Sequence, residues 1–86
     1  SAMAEGFRWL TPPAPAAIAL LRTPALAALC DRPLPAPGRA RFAHLCSVDG
    51  AVIDEVVVTR LDHDALEIAC HGGPGIRAAV ESALRG

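Results

Sequence analysis

Short runs dominated by apolar side chains alternate with proline- and glycine-rich breaks along the 86 residues. Four of these runs have the length and composition of strands, namely 16–22, 40–48, 51–61 and 65–71. Residues 7–15 contain several prolines, which disfavour a helix and predict an extended segment. The pattern therefore predicts about four strands preceded by an extended N-terminal segment.

Two other segments carry helix signals. Thr23-Pro24 combines an N-cap residue with proline at the first helical position, and predicts a short helix over 24–31. Pro74 opens a second helix, which we predict to run to about Arg85. Its apolar positions share one face, and the charged residues opposite predict a solvated ladder of ion pairs formed by Arg77, Glu81 and Arg85.

The order strand, helix, strand, strand, strand, helix predicts an α+β fold, with two helices against one face of a small mixed or antiparallel sheet. Asp49-Gly50 lies between two strand-like runs and predicts a type I′ hairpin turn. Asp54-Glu55 predicts a bulge or a strand end near solvent. The length fits a single domain over 1–86, and Ser1-Ala2 ahead of Met3 is typical of a cloning remnant.

Composition excludes several kinds of chemistry. All eight cations are arginine, so a P-loop lysine or a lysine base is absent from these residues. The net charge of -1 and the lack of tyrosine argue against a basic, aromatic-rich nucleic-acid surface. Three cysteines without a disulfide spacing indicate a reduced, cytoplasmic protein. The longest uncharged run, 13 residues broken by prolines, is shorter than the roughly 20 residues of a membrane helix.

Two charged residues within apolar strands are candidate binding residues. Arg22 ends the first predicted strand, and Glu67 lies inside the fourth beside the small side chains of Ala65 and Ala69. This arrangement leaves room for a flat ligand held by an anionic and a cationic anchor. A salt bridge between the two residues, or two charges that reach solvent, would explain the same pattern.

The segment His71-Gly72-Gly73-Pro74-Gly75 leads from a strand into a helix. Its exposed amides are able to receive an anion, although a tight turn that requires glycine explains the same sequence. Cys70-His71 and His44-x-Cys46 each place neighbouring ligands on opposite faces of a strand, so we predict no metal site. We predict no catalytic residue on this segment.

Several motifs, in this order along the chain, resemble the TrmE/MnmE-type tRNA modification GTPase family. They are Thr11-Pro12-Pro13 followed by Ala17-Ile18-Ala19-Leu20-Leu21-Arg22, then Arg41-Phe42-Ala43-His44, then Asp49-Gly50-Ala51-Val52-Ile53-Asp54-Glu55-Val56-Val57-Val58, and last Glu67-Ile68-Ala69-Cys70-His71-Gly72-Gly73-Pro74. The match is collinear and covers roughly residues 9–85. It resembles the N-terminal domain of that family, whose GTPase and helical domains have no counterpart in these residues.

The resemblance implies an α/β module related to the tetrahydrofolate-binding domain of glycine-cleavage aminomethyltransferases. That module forms a homodimer and binds a one-carbon tetrahydrofolate such as 5-formyltetrahydrofolate, with no metal or GTP on this segment. Arg22 and Glu67 fall on the family's folate contacts, and His71, Gly72 and Gly73 are weaker candidates. The whole enzyme, with a flavin-containing partner protein, modifies the wobble uridine of certain tRNAs.

The chain departs from the family pattern at two places. Ala14-Pro15-Ala16 replaces the family's Gly-Arg-Gly, and the loop over 60–64 is shortened. An alternative function therefore keeps the fold without the ligand: a diverged, non-catalytic scaffold that dimerises or docks a partner. A self-contained small enzyme is disfavoured by the residue inventory.

Overall fold

The computed structural model describes residues 8–10, 16–22, 30–62 and 65–85, with side chains for all of these except 16–22 and 85. Its elements in chain order are β1 (Arg8–Trp9), β2 (Ala16–Arg22), β3 (Ala40–Cys46), β4 (Val52–Arg60), β5 (Ala65–His71) and α1 (Pro74–Arg85). The strands form one five-stranded sheet in the order β1-β2-β5-β4-β3, in which all neighbours are antiparallel. The predicted α+β class is confirmed.

The sheet has one strand more than the sequence pattern predicted, at the N-terminal end of the described chain. Arg8 and Trp9, within the predicted extended segment, pair with Leu20 and Ala19 of β2 and add a fifth strand. This strand was not predicted, because the prolines that follow it within a few residues made the whole segment look irregular. The bounds of β2, β5 and α1 are those predicted, and β3 and β4 are slightly shorter.

The predicted helix over 24–31 falls mainly on residues 24–29, which lie outside the described residues. Its last two positions are not helical. Cys30 forms an isolated antiparallel bridge with Leu45, and the Asp31 amide donates to the His44 carbonyl oxygen at 3.2 Å. Cys30 and Asp31 therefore lie beside β3, and the described part of the chain contains one helix, α1.

The β3–β4 hairpin forms where predicted but with a different turn. The Gly50 amide donates to the Ser47 carbonyl oxygen at 2.9 Å, and the Ser47 amide donates to that of Ala51 at 2.8 Å. Gly50 has a φ of 92°, whereas no described residue other than glycine has a positive φ. Type I′ requires positive φ at both central residues, so that prediction was wrong. The turn instead relies on Asp49, whose carboxylate accepts from the Ser47 hydroxyl and the Ala51 amide.

The core lies between α1 and one face of the sheet. Its fully buried side chains are aliphatic, and the predicted apolar face of the helix supplies two of them. They are Leu45, Val56, Val58, Leu66, Ile68, Val80 and Leu84. The register between β3 and β4 shifts between Leu45, opposite Asp54, and Cys46, opposite Val52, which confirms the predicted bulge beside Asp54.

Trp9, Arg77 and Glu81, which we call the tryptophan clasp, join β1 to α1. The Arg77 guanidinium lies 3.9 Å from the centre of the indole ring, and the indole N–H donates to the Glu81 carboxylate. Both charged side chains are half-buried. Arg77 and Glu81 therefore lie against Trp9 and are less solvated than the predicted ladder, while the side chain of Arg85 lies outside the described residues.

Candidate functional site

The face of the sheet opposite α1 carries the residues singled out from the sequence. In the β2–β5 register Leu20 is opposite Glu67, and Arg22 is opposite Ala65. Directly opposed residues share a face, and so do residues two apart on one strand. Positions 22 and 67 are thus diagonal neighbours on one face, a relationship within reach of long side chains. The structure brings the two predicted positions together, and the Arg22 side chain itself lies outside the description.

Glu67 lies at the centre of this open face. Its register partners are Leu20 in β2 and Thr59 in β4, and its side chain is half-buried. Ala65 and Ala69, two positions away on either side, are also half-buried on this face. The small side chains predicted to leave room beside Glu67 are therefore on its own face of the sheet.

A depression of about 320 Å³ begins two residues from Glu67 along β5. The register aligns Phe42, Val57 and Ala69 across three strands, and these side chains form its apolar part. Glu55 and His71 provide the polar part. Phe42 is 67% exposed, which is unusual for a large apolar side chain in a sheet.

His71 is held at this depression by Asp54. One carboxylate oxygen of Asp54 accepts from the His71 amide at 2.8 Å, and the other contacts Nδ1 at 2.8 Å. The Asp54 side chain is only 10% exposed, whereas that of His71 is mostly in solvent. Burial opposes ionisation of Asp54, but the hydrogen bonds from His71 outweigh it, and the pKa of this carboxyl is lowered.

His44 is held in the same manner by Asp31. The His44 amide donates to one oxygen of Asp31 at 2.8 Å, and Nδ1 contacts the other at 2.8 Å. The hydrogen bonds from the His44 side chain and amide lower the pKa of the Asp31 carboxyl. The remaining ring nitrogen, Nε2, lies 3.9 Å from a carboxylate oxygen of Glu55.

A second depression, of about 180 Å³, lies beside His44. Its lining includes Arg32 and His44 together with Phe42 and Glu55, which also line the first depression. We call the two depressions together the trough. The sequence analysis missed Phe42 and Glu55 as site residues because their meeting depends on cross-strand register. The signal that could have found them is alternation, which places both on the face of Glu67.

The glycines after β5 form a less constrained turn than expected. Gly72 is buried, and the Gly73 carbonyl oxygen accepts from the Arg77 amide at 3.0 Å in the first turn of α1. Neither glycine has a positive φ, and a Cβ at Gly73 would meet no atom within 4 Å. Backbone geometry at Gly73 therefore gives no reason for glycine there.

Two further findings concern metals and thiols. Within the described ranges, no group of three or more His, Cys, Asp and Glu side chains is placed to hold a metal ion. The three cysteines are free, and Cys70 is buried while Cys30 and Cys46 are half-buried. Burial raises the pKa of the Cys30 thiol to about 11, with a smaller effect of Asp31, so this thiol is protonated at neutral pH.

In the described part of the chain, no helix is long and apolar enough to cross a membrane.

Fold and site together define a small α+β module in which one helix backs a five-stranded antiparallel sheet and the other face carries the polar site. No family model matches the sequence. The chain is 40% identical over 67 residues, 70% of its length, to the tRNA modification GTPase MnmE of Sphingopyxis alaskensis. It is 37% identical over 87 aligned positions, 86% of its length, to the tRNA modification GTPase MnmE of Hyphomonas neptunium.

The chain spans 16% and 19% of the length of these two curated relatives. It therefore aligns with a small part of proteins named tRNA modification GTPase MnmE. The resemblance to the TrmE/MnmE-type family, drawn from the sequence motifs, is confirmed by these relatives.

Proposed function

We propose that this chain is the folate-binding and dimerisation domain of a cytoplasmic tRNA modification GTPase. The proposal is supported by the β2–β5 register, in which positions 22 and 67 are diagonal neighbours on the face of the sheet opposite α1. The similarity to two proteins named tRNA modification GTPase MnmE supplies the functional context. The proposed ligand is a one-carbon tetrahydrofolate such as 5-formyltetrahydrofolate.

The residues present fit such a ligand chemically. A carboxylate such as Glu67 can accept two hydrogen bonds from an aminopyrimidine edge, and a guanidinium such as Arg22 can donate to a folate carbonyl or carboxylate. Ala65 and Ala69 flank Glu67 with little bulk, so a flat ring has access to the carboxylate. Bound tetrahydrofolate would supply a one-carbon unit, and these residues would bind and orient it.

His71, Gly72 and Gly73 are the weaker members of the proposed site. His71 lies on the same face as Glu67, two residues beyond Ala69, and its side chain is exposed. Gly73 is exposed at the start of α1, where free amides favour a negatively charged group. The amides at this helix start would suit a carboxylate of the folate tail.

The proposal extends to the parent protein. We propose that the domain forms a homodimer, for which its small size and large share of apolar residues are the motives. We further propose that tRNA and a flavin-containing partner protein bind through other parts of the parent. GTP hydrolysis would also be performed elsewhere, since these residues contain no lysine for a P-loop.

Calorimetric titration of the chain with 5-formyltetrahydrofolate tests the proposed ligand. We expect binding that weakens at least about tenfold in Arg22→Ala and in Glu67→Ala, because each removes a charge-assisted hydrogen bond. Glu81→Gln is the matched control, since it removes one carboxylate from the opposite side of the sheet and should leave the affinity unchanged. Absence of heat in the wild type, with a dimer mass by light scattering, would replace the proposal with the diverged-scaffold alternative.

A further inference from the structure

The trough has features of a second binding site, which can be argued without the proposed folate site. Its two histidines share one arrangement, in which an aspartate accepts from both the backbone amide and Nδ1. The pKa values of both aspartates are lowered, so the carboxylates are ionised at neutral pH and act only as acceptors. Nδ1 of each ring must then carry its proton.

A neutral imidazole with the proton on Nδ1 presents Nε2 as a hydrogen-bond acceptor. In the neutral ring, Nε2 of His44 or His71 is therefore an acceptor, and Glu55, which lines both depressions, adds a carboxylate. The Glu55 side chain is 67% exposed, and that of His71 is also mostly exposed. The polar part of the trough therefore offers carboxylate and imidazole acceptors, which suit a ligand rich in N–H donors.

The charges around the trough favour a cation. Glu55 lines both depressions, and the carboxylates of Asp31 and Asp54 lie behind the two histidines, 2.8 Å from their Nδ1 atoms. The opposing charge within the described lining is Arg32, at the smaller depression. The balance is negative, and a negative cleft concentrates positively charged ligands.

Phe42 restricts the shape of the ligand. It lines both depressions beside Glu55, and 67% of its surface is exposed. The face of an aromatic ring attracts a cation, and guanidinium groups stack on it more often than ammonium groups do. A planar fork of N–H donors can stack on Phe42 while donating to a carboxylate at its edge.

We propose that the trough formed by Phe42, His44, Glu55 and His71 binds a guanidinium group, which stacks on Phe42 and donates to Glu55 and to a histidine Nε2. The group can come from an arginine side chain of a peptide or from a free small guanidine. A metal ion is a poorer occupant, since the described residues place no three such ligands around a common point. The site does not include the main proposed folate residues Arg22 and Glu67, and it shares His71 with the weaker folate positions.

NMR titration of the ¹⁵N-labelled chain tests this proposal with matched ligands. Capped arginine represents the peptide source and agmatine the free guanidine. Capped citrulline keeps the shape of arginine without its charge, and capped lysine keeps the charge without the planar fork. We expect both guanidines, at millimolar concentration, to shift the amide signals of Phe42, Glu55 and His71, with much smaller shifts from citrulline and lysine.

Two variants test whether Glu55 and Phe42 bind the guanidinium group. Glu55→Gln should weaken capped-arginine binding about tenfold through loss of the charged acceptor. Phe42→Leu should weaken it about threefold through loss of the ring face. Both residues are exposed, so the folds should be retained, as circular dichroism would verify. Glu81→Gln, on the opposite side of the sheet, is the control and should bind as the wild type does.

Each outcome decides the proposal. Binding of capped arginine alone assigns the site to a peptide, and equal or tighter binding of agmatine assigns it to a free guanidine. Equal shifts with citrulline, no response to either guanidine, or unchanged affinity in Glu55→Gln would overturn the guanidinium site. Folate affinity is measured separately, so loss of the folate proposal would leave this result intact.

Discussion

Asp54 holds His71 at two points, with one carboxylate oxygen 2.8 Å from the backbone amide and the other 2.8 Å from Nδ1. The contact joins the last residue of β5 to the bulged part of β4, just before the turn into α1. A backbone amide at a strand end is thereby satisfied by a side chain rather than by a neighbouring strand. Because the Asp54 side chain is 10% exposed, little water is available to replace it.

Asp54→Ala should therefore destabilise the domain by about 1–3 kcal/mol, since it leaves a hydrogen-bonding group without its acceptor. Urea unfolding followed by tryptophan fluorescence would measure the loss. Asp31→Ala is the matched control, because it removes the same two-point contact at His44 from a carboxylate that is 39% exposed. We expect a smaller loss there, and equal losses would contradict the role assigned to burial.

The same contact predicts how stability depends on pH. The pKa of Asp54 is lowered in the folded state, so its ionised form is favoured there relative to the unfolded chain. Its contribution is fully present above the unfolded pKa of about 3.9 and is lost as the pH falls through the lower folded value. The free energy of unfolding should thus decrease on acidification below about pH 5.

Asp54→Ala should show a shallower decrease than the wild type over the same acidic range. A residual slope is expected, because the pKa values of Asp31 and Asp49 are also lowered by hydrogen bonds. Urea unfolding at a series of pH values would give both curves. Parallel curves for the wild type and the variant would show that Asp54 does not supply this dependence.

Local periodicity was sufficient for the elements that lie in the core. In β5, Leu66 and Ile68 are buried while Glu67 and Ala69 are half-buried, the alternation expected of a strand with one face against a helix. The helix was predictable for the same reason, since Val80 and Leu84 recur at helical spacing and are both buried. Each of these patterns is contained within a single element.

The site required information that no single element holds. Asp54 and His71 are 17 residues apart, and their contact depends on the β4–β5 register, which the sequence does not specify locally. Glu67 was found from the sequence because a charge inside an apolar strand is conspicuous. Glu55 was not, since it follows another acidic residue at a bulge and looked like an ordinary exposed strand end.

The tryptophan clasp, which lies on the α1 side of the sheet, predicts a change in Trp9 fluorescence when Glu81 is replaced. Glu81→Ala removes the acceptor of the Trp9 indole N–H, which should reduce stability by about 0.5–1.5 kcal/mol. Trp9 is the single tryptophan of the sequence, so its emission reports directly on this contact. We expect a red shift and stronger quenching by acrylamide as the indole becomes more accessible.

Ser82→Ala provides the control for the clasp, since Ser82 is exposed on the same helix. Its stability should stay within about 0.5 kcal/mol of the wild type, with unchanged emission. If Glu81→Ala behaves like Ser82→Ala, the indole hydrogen bond does not anchor β1 to α1.

Two glycine substitutions should have opposite effects on stability. At Gly50 a φ of 92° is unfavourable for alanine even though a Cβ would meet no atom within 4 Å, so Gly50→Ala should cost about 1–2 kcal/mol. Gly75 lies in the first turn of α1 with ordinary φ and open space around a Cβ. Gly75→Ala should therefore stabilise by about 0.4–1 kcal/mol through a smaller loss of chain entropy on folding. Thermal unfolding of both variants checks the signs, and destabilisation by Gly75→Ala would mean that this position needs glycine for a reason other than backbone geometry or packing.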